Sequence, residues 1–169
     1  MSSHLDSPGH KDRATSFRRF AEHLKEQSNE MFLRDRHHAE IFFLVDSDGG
    51  TTIIPTPADV DRDEMLAGLK QRIRDEDTYG IVHISESWSY FCRRRGDHTL
   101  RQIAEGEIKV SELRPEDRDE VLVVMMESRE GAHFMWITPI LRDGDAVTLG
   151  ETLAFPEESA GRFAGLFEP

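Results

Sequence analysis

Two short runs constrain this chain more than anything else in it: Glu40-Ile41-Phe42-Phe43-Leu44-Val45 and Val121-Leu122-Val123-Val124-Met125-Met126. Both have strand length and are rich in β-branched, aromatic and long apolar side chains. Successive strand side chains point to opposite faces, so these runs are apolar on both faces and belong in the interior of a sheet. The second is also the longest apolar run, far short of the ~20 residues a membrane span needs.

The remaining pattern supplies partners for the two runs. Asp46-Ser47-Asp48-Gly49-Gly50 is a turn, and Thr51-Thr52-Ile53-Ile54 returns from it as a hairpin partner, ended by Pro55 and Pro57. Phe17, Phe20, Ala21, Leu24 and Met31 fall on one helical stripe from Thr15 to about Leu33, with Thr15 or Ser16 as cap. Met65, Leu66, Leu69 and Ile73 mark a second helix over about 61–74. Asp59, Asp61, Asp63 and Glu64 crowd its start, where the helix dipole favours negative charge, so this acid cluster needs no metal to explain it. A strand is expected from Ile81 to Cys92, and two more follow Val121–Met126, at Phe134–Leu141 and Val147–Ala154.

The simplest layering is α+β: one mostly antiparallel sheet of about five strands with the two main helices packed on one face. Residues 1–13 are expected to be a disordered tail, 14–155 a single domain with a polar excursion at 93–119, and 156–169 a C-terminal tail. A short helix is expected around Leu100–Ala104, and the tail's Phe163, Leu166 and Phe167 suggest one helical turn against the body or a neighbour. The order of elements resembles that of roadblock- and profilin-type modules, a likeness of topology that many unrelated functions share.

The chain has 169 residues, enough for one domain with a real core. Its 33 acidic and 21 basic side chains leave a formal net charge of −12, which repels phosphate backbones and anionic lipid surfaces. The one basic run, Arg93-Arg94-Arg95, is met at once by Gly96 and Asp97 and reads as a solvated loop, so general nucleic-acid binding is not expected. Cys92 is the single cysteine, which excludes an internal disulfide and a multi-cysteine metal site. The N-terminal stretch lacks an apolar signal core, and a cytoplasmic protein is the expectation.

The strand over 81–92 carries the most chemistry. Its two-residue period puts Val82, Ile84, Glu86, Trp88, Tyr90 and Cys92 on one face, and Ile81, His83, Ser85, Ser87, Ser89 and Phe91 on the other. Glu86 then sits at the centre of an apolar face, where a carboxylate must find a partner or take a proton. Two readings stay open. In one, Glu86 anchors a ligand beside the aromatic wall of Trp88 and Tyr90. In the other, which is favoured, it is held by a structural ion pair or turned outward by a bulge.

Ser85-Glu86-Ser87-Trp88, followed some thirty residues on by Arg114-Pro115-Glu116-Asp117-Arg118-Asp119-Glu120-Val121-Leu122, resembles a pairing in a family of small microbial proteins. Those proteins carry a Ser-Glu-Ala-Trp strand and a Pro/Asp/Arg/Glu loop running into an apolar strand. The present chain departs from them at Ser87 and in the length of the 93–119 connection. The resemblance brings no activity with it. It implies that Glu86, Trp88 and the loop before Val121 form one spatial unit, with Arg118 as a partner for Glu86.

Other motifs give less. His37, His38, His83, His98 and His133 lack the spacing of a helical metal site, and neither a metal nor a cofactor is expected. Asp46–Gly50 departs from a calcium loop at Gly50 and at Pro57, where the bidentate Glu would stand. Asp97, Glu107 and Lys109 have the spacing of a divalent-dependent nuclease site, but Asp97 falls in a loop and the chain is strongly acidic. Cys92 reads as a small hydrophobe at a strand end. The favoured expectation is a non-catalytic interaction or regulatory module that forms a homo-oligomer, a homodimer being the simplest, read from the aromatic tail. The alternative is a small-molecule-binding or hydrolytic enzyme at Glu86, Trp88 and Tyr90.

Overall fold

The long first helix is built on one repeating contact line. In the computed structural model, which describes residues 8–57, 59–91, 96–156 and 165–167, helix α1 spans Pro8–Asp35. Phe17, Ala21 and Phe32 are buried from it, with Phe20 and Leu24 partly so, at the three- and four-residue steps of one helical face. Arg36 ends it in the left-handed region (φ 61°), its N–H closing on the Phe32 carbonyl at 2.7 Å. The helix starts earlier than its composition suggests. Asp12 and Arg13 are exposed yet helical, and the Arg13 guanidinium stands 5.3 Å over the Tyr79 ring. A polar helical turn and a disordered tail have the same composition. Of the Ser/His/Asp/Lys-rich start, residues 8–13 therefore belong to the helix.

The strands are β1 (Ile41–Asp46), β2 (Thr51–Pro55), β3 (Thr78–Ser89), β4 (Asp119–Ser128), β5 (His133–Asp143), β6 (Ala146–Leu149) and β7 (Leu153–Phe155). They form one antiparallel sheet in the order β2-β1-β3-β4-β5-β6, with β7 also on β5. Seven strands replace the expected five or so. The expected strand 147–154 breaks at Gly150–Thr152 into β6 and β7, which follow one another along the outer edge of β5. Gly150 donates to the Pro139 carbonyl at 2.8 Å, and a Cβ there would lie 3.2 Å from that of Pro139. The two runs that are apolar on both faces are indeed interior, β1 lying between β2 and β3, and β4 between β3 and β5.

Helix α2 (Arg62–Asp75) is capped by Asp61, whose carboxylate accepts the Asp63 and Glu64 N–H groups. Two long helices form as expected, but they lie on opposite faces rather than one. Phe17, Ala21 and Phe32 of α1 pack with Val82, Ile84, Leu122, Val124, Phe134 and Trp136. Leu69 and Ile73 of α2 pack with Phe42, Leu44, Ile81 and Met125. Val82 and Ile81 are neighbours on one strand and so point to different sides. A sheet whose inner strands are apolar on both faces requires this cover on both.

Between β3 and β4, the polar excursion holds helix α3 (Thr99–Ala104), close to its expected place, and two short 3₁₀ turns at Val110–Glu112 and Pro115–Asp117. At the other end of the chain, the turn at 165–167 docks on the α2 side, with Leu166 buried. No helix among the described residues is long and apolar enough to cross a membrane.

Candidate functional site

β3 outruns its neighbour. It pairs with β1 only as far as Ile84 opposite Ile41, whereas its pairing with β4 continues to Ser89 opposite Asp119. Beyond Ile84 one edge of the strand is free of the ladder, and this is where the residues singled out from the sequence lie.

Glu86 is strand-borne and mostly buried, its side chain 22% exposed. Its carboxylate accepts the backbone N–H of His38 and stands 3.0 Å from His37 Nδ1. Arg118 is not its partner. The Arg118 guanidinium lies 4.2 Å over the Trp88 ring and donates to the Ser111 carbonyl at 2.8 Å. Trp88 is 44% exposed, so the face expected to be an aromatic wall is an open stack of arginine on indole. Opposite Trp88 is Glu120, gripped by Arg142 with Nε at 2.6 Å; this hydrogen bond, with the carboxylate's charge, raises the guanidinium pKa above its ordinary value. Tyr90 lies just past the strand and donates its hydroxyl to Asp97. Trp88 and Arg118 are therefore brought together, while Glu86 and Tyr90 each belong to a separate contact.

That contact also accounts for Asp97. It accepts the Thr99 N–H at 2.9 Å as well as the Tyr90 hydroxyl, which makes it a local brace at the start of α3. Asp46 is used similarly: Oδ1 accepts from Asp48 N–H at 2.9 Å and Gly50 N–H at 2.7 Å, closing the hairpin turn. Among the described residues no group of three or more His, Cys, Asp or Glu side chains could hold a metal ion. Cys92 and Arg93–Arg95 lie outside the described residues, as does Phe163.

The chief cavity of interest is on the other face. A cleft of about 570 Å³ lies over the part of the sheet that α2 leaves uncovered, with Arg62 of α2 at one side and Ser111 of the excursion at another. Its floor lies within three cross-strand rows of the sheet. One row runs Phe42, His83, Met125, Met135, Phe155 across five strands. The next runs Ser85, Val123, Ile137, Leu153, and a third runs Ser87, Val121, Pro139. The cleft therefore has an apolar floor and a line of hydroxyls, Ser85, Ser87 and Ser89, along the unpaired part of β3. Glu86 and Trp88 border it from the same strand.

Its polar end is a braced network. His83 is buried and stacked on Phe42, ring centroids 4.3 Å apart and 18° from parallel. Its Nε2 is 3.1 Å from Glu40 Oε1, which also receives Arg62 Nη1 at 3.0 Å. Burial lowers the His83 pKa below the ordinary imidazole value, with Glu40 opposing part of the shift. Burial works against ionisation of Glu40, but the hydrogen bond and charge it meets at His83, together with Arg62, hold its carboxyl below the usual range. A neutral imidazole donating to an ionised carboxylate satisfies both directions.

Sequence reading assigned His83, Ser85, Ser87 and Ser89 to one face correctly, but weighed His83 only as a metal ligand and passed over the three serines. The available signal was three hydroxyls and an imidazole in strict alternation on a strand otherwise built for a core. No family model matches this chain, and neither a curated protein nor a solved structure does.

Proposed function

We propose that this protein is a non-catalytic binding module that takes its ligand in the cleft on the α2 side of the sheet. The observation that carries the reading is the cleft itself: about 570 Å³, within the range of roughly 300–1,000 Å³ usual for small-molecule sites, with an apolar floor edged by serine hydroxyls and a charged pair. Arg62 and Glu40 neutralise one another, so the polar end suits a neutral hydrogen-bonding head rather than a strongly charged one. Val121, Val123, Met125, Met135 and Ile137 suit an elongated apolar body, and the two methionines can adjust to its shape.

Binding is favoured over turnover because the imidazole is engaged as a wall. His83 gives its edge to Glu40 and its face to Phe42. The acidic charge and lone cysteine support a cytoplasmic setting without general nucleic-acid binding. Homo-oligomerisation is part of the proposal. It now draws on Leu153 and Phe155, exposed on the edge strand β7 beside the cleft floor.

The test is a fragment screen of medium-chain alcohols, amides and esters against protein labelled with ¹³C at its methionine methyls. Binders should shift Met125 and Met135 and lose their effect in Val123→Glu. Binders that leave both methyls unmoved would sink the proposal. Ester turnover abolished by His83→Ala would replace it with the hydrolytic alternative.

A further inference from the structure

Glu127 is the one carboxylate among the buried polar side chains of the described residues, 2% exposed on the α2 face of β4. It receives two backbone donors from the C-terminal turn, Leu166 N–H on Oε2 and Phe167 N–H on Oε1, both at 3.2 Å. Gly165 precedes them with φ 75°, a left-handed conformation that L side chains rarely adopt. Leu166 itself, 2% exposed, is seated in the buried cluster of Phe42, Leu44, Leu69, Ile73, Ile81 and Met125, which forms its socket. A buried carboxylate without donors is costly, so socket and turn are matched in charge as well as shape.

The contact is a complete recognition element: an apolar side chain and two backbone N–H donors, its own and the next residue's, met by an apolar socket and a buried carboxylate. Its chemistry asks only for a Gly-Leu-Phe turn and does not depend on which chain carries that turn. We propose that the Glu127 socket is a docking site for this turn that also accepts the C-terminal turn of a second copy, joining two chains by exchange. The docked turn of the same chain competes at high effective concentration, so exchange is best seen when the two halves of the contact are weakened in different molecules. This proposal is independent of the cleft ligand.

The experiment uses two full-length variants. Leu166→Asp empties the socket and Glu127→Gln weakens it while leaving the turn intact. A fluorescent peptide with the sequence of residues 160–169 should bind folded Leu166→Asp saturably. It should bind wild type, and Leu166→Asp carrying Glu127→Gln, at least about tenfold more weakly. Mixing the two single variants should give a one-to-one complex by native mass spectrometry that neither forms alone. Absence of peptide binding to folded Leu166→Asp, or of the mixed complex, would overturn the proposal. So would a Leu166→Asp chain that circular dichroism shows to be unfolded, since the turn would then be an obligate part of the core.

Discussion

His83 Nε2 and Glu40 Oε1 stand 3.1 Å apart at the closed end of the cleft, where both side chains are largely withdrawn from water. The imidazole pKa is lowered by burial, and the carboxyl, despite burial, is held low by His83 and Arg62. For both groups the folded state binds fewer protons than the unfolded one. Each therefore stabilises above its own unfolded value: the share of His83 is lost as pH falls below about 6.5, and that of Glu40 only below the ordinary carboxyl value of about 4.3. Urea midpoints measured from pH 7.5 to pH 5 should decline, and His83→Gln should flatten that decline. An unchanged slope in His83→Gln would show that another group controls it.

Gly80 and Phe17 fix how closely α1 approaches the sheet. A Cβ at Gly80 would lie 2.4 Å from the edge of the Phe17 ring, which is buried against Tyr79 with centroids 5.6 Å apart. Gly80→Ala should destabilise the protein by about 1–3 kcal/mol through overpacking. In Phe17→Leu the same glycine substitution should cost much less, because the clashing ring edge is gone. Equal costs in the two backgrounds, by chemical denaturation, would mean that the helix shifts instead.

How far the fold could be read from residues alone divides along range of interaction. The two-residue period of β3 sorted Ile81 from Val82 and His83 from Ile84 correctly, because alternation is local. Phe42 and Phe43, adjacent and both apolar, already required cover on two sides of the sheet. The stripes of α1 and α2 each promised one buried face but said nothing about which sheet face it would meet, and the single-face layering failed there. The site failed similarly. Glu86 is unusual in its own strand, but the cleft exists because α2 stops short of Val123 and Ile137, a consequence of packing between distant segments. Partner choice is also non-local: His37 and His38 reach Glu86 because the turn at Arg36 brings the chain back along the free edge of β3.

Asp61 sets the start of α2 and with it the position of Arg62, which lines the cleft. Its carboxylate accepts the N–H groups of Asp63 at 3.0 Å and Glu64 at 2.9 Å. Asp61→Ala should cost about 1 kcal/mol, the usual loss for an N-cap, and Asp61→Ser much less. Both can be read from thermal melts. If serine is no better than alanine, the cap is not the source of the effect.

Glu86 separates two accounts of the strand end that double-mutant cycles can distinguish. Its carboxylate holds the His38 N–H and approaches His37, while Arg118 is engaged with Trp88 and Ser111. Glu86→Ala should cost about 1–2 kcal/mol, because a part-buried backbone donor loses its acceptor, and Glu86→Gln should retain most of that stability. Combined with Arg118→Ala, the costs should add within about 0.5 kcal/mol; combined with His37→Ala, they should fall short of the sum. Coupling between Glu86 and Arg118 in urea unfolding would restore the ion pair implied by the sequence resemblance. It would also make Trp88 and Glu86 one site after all.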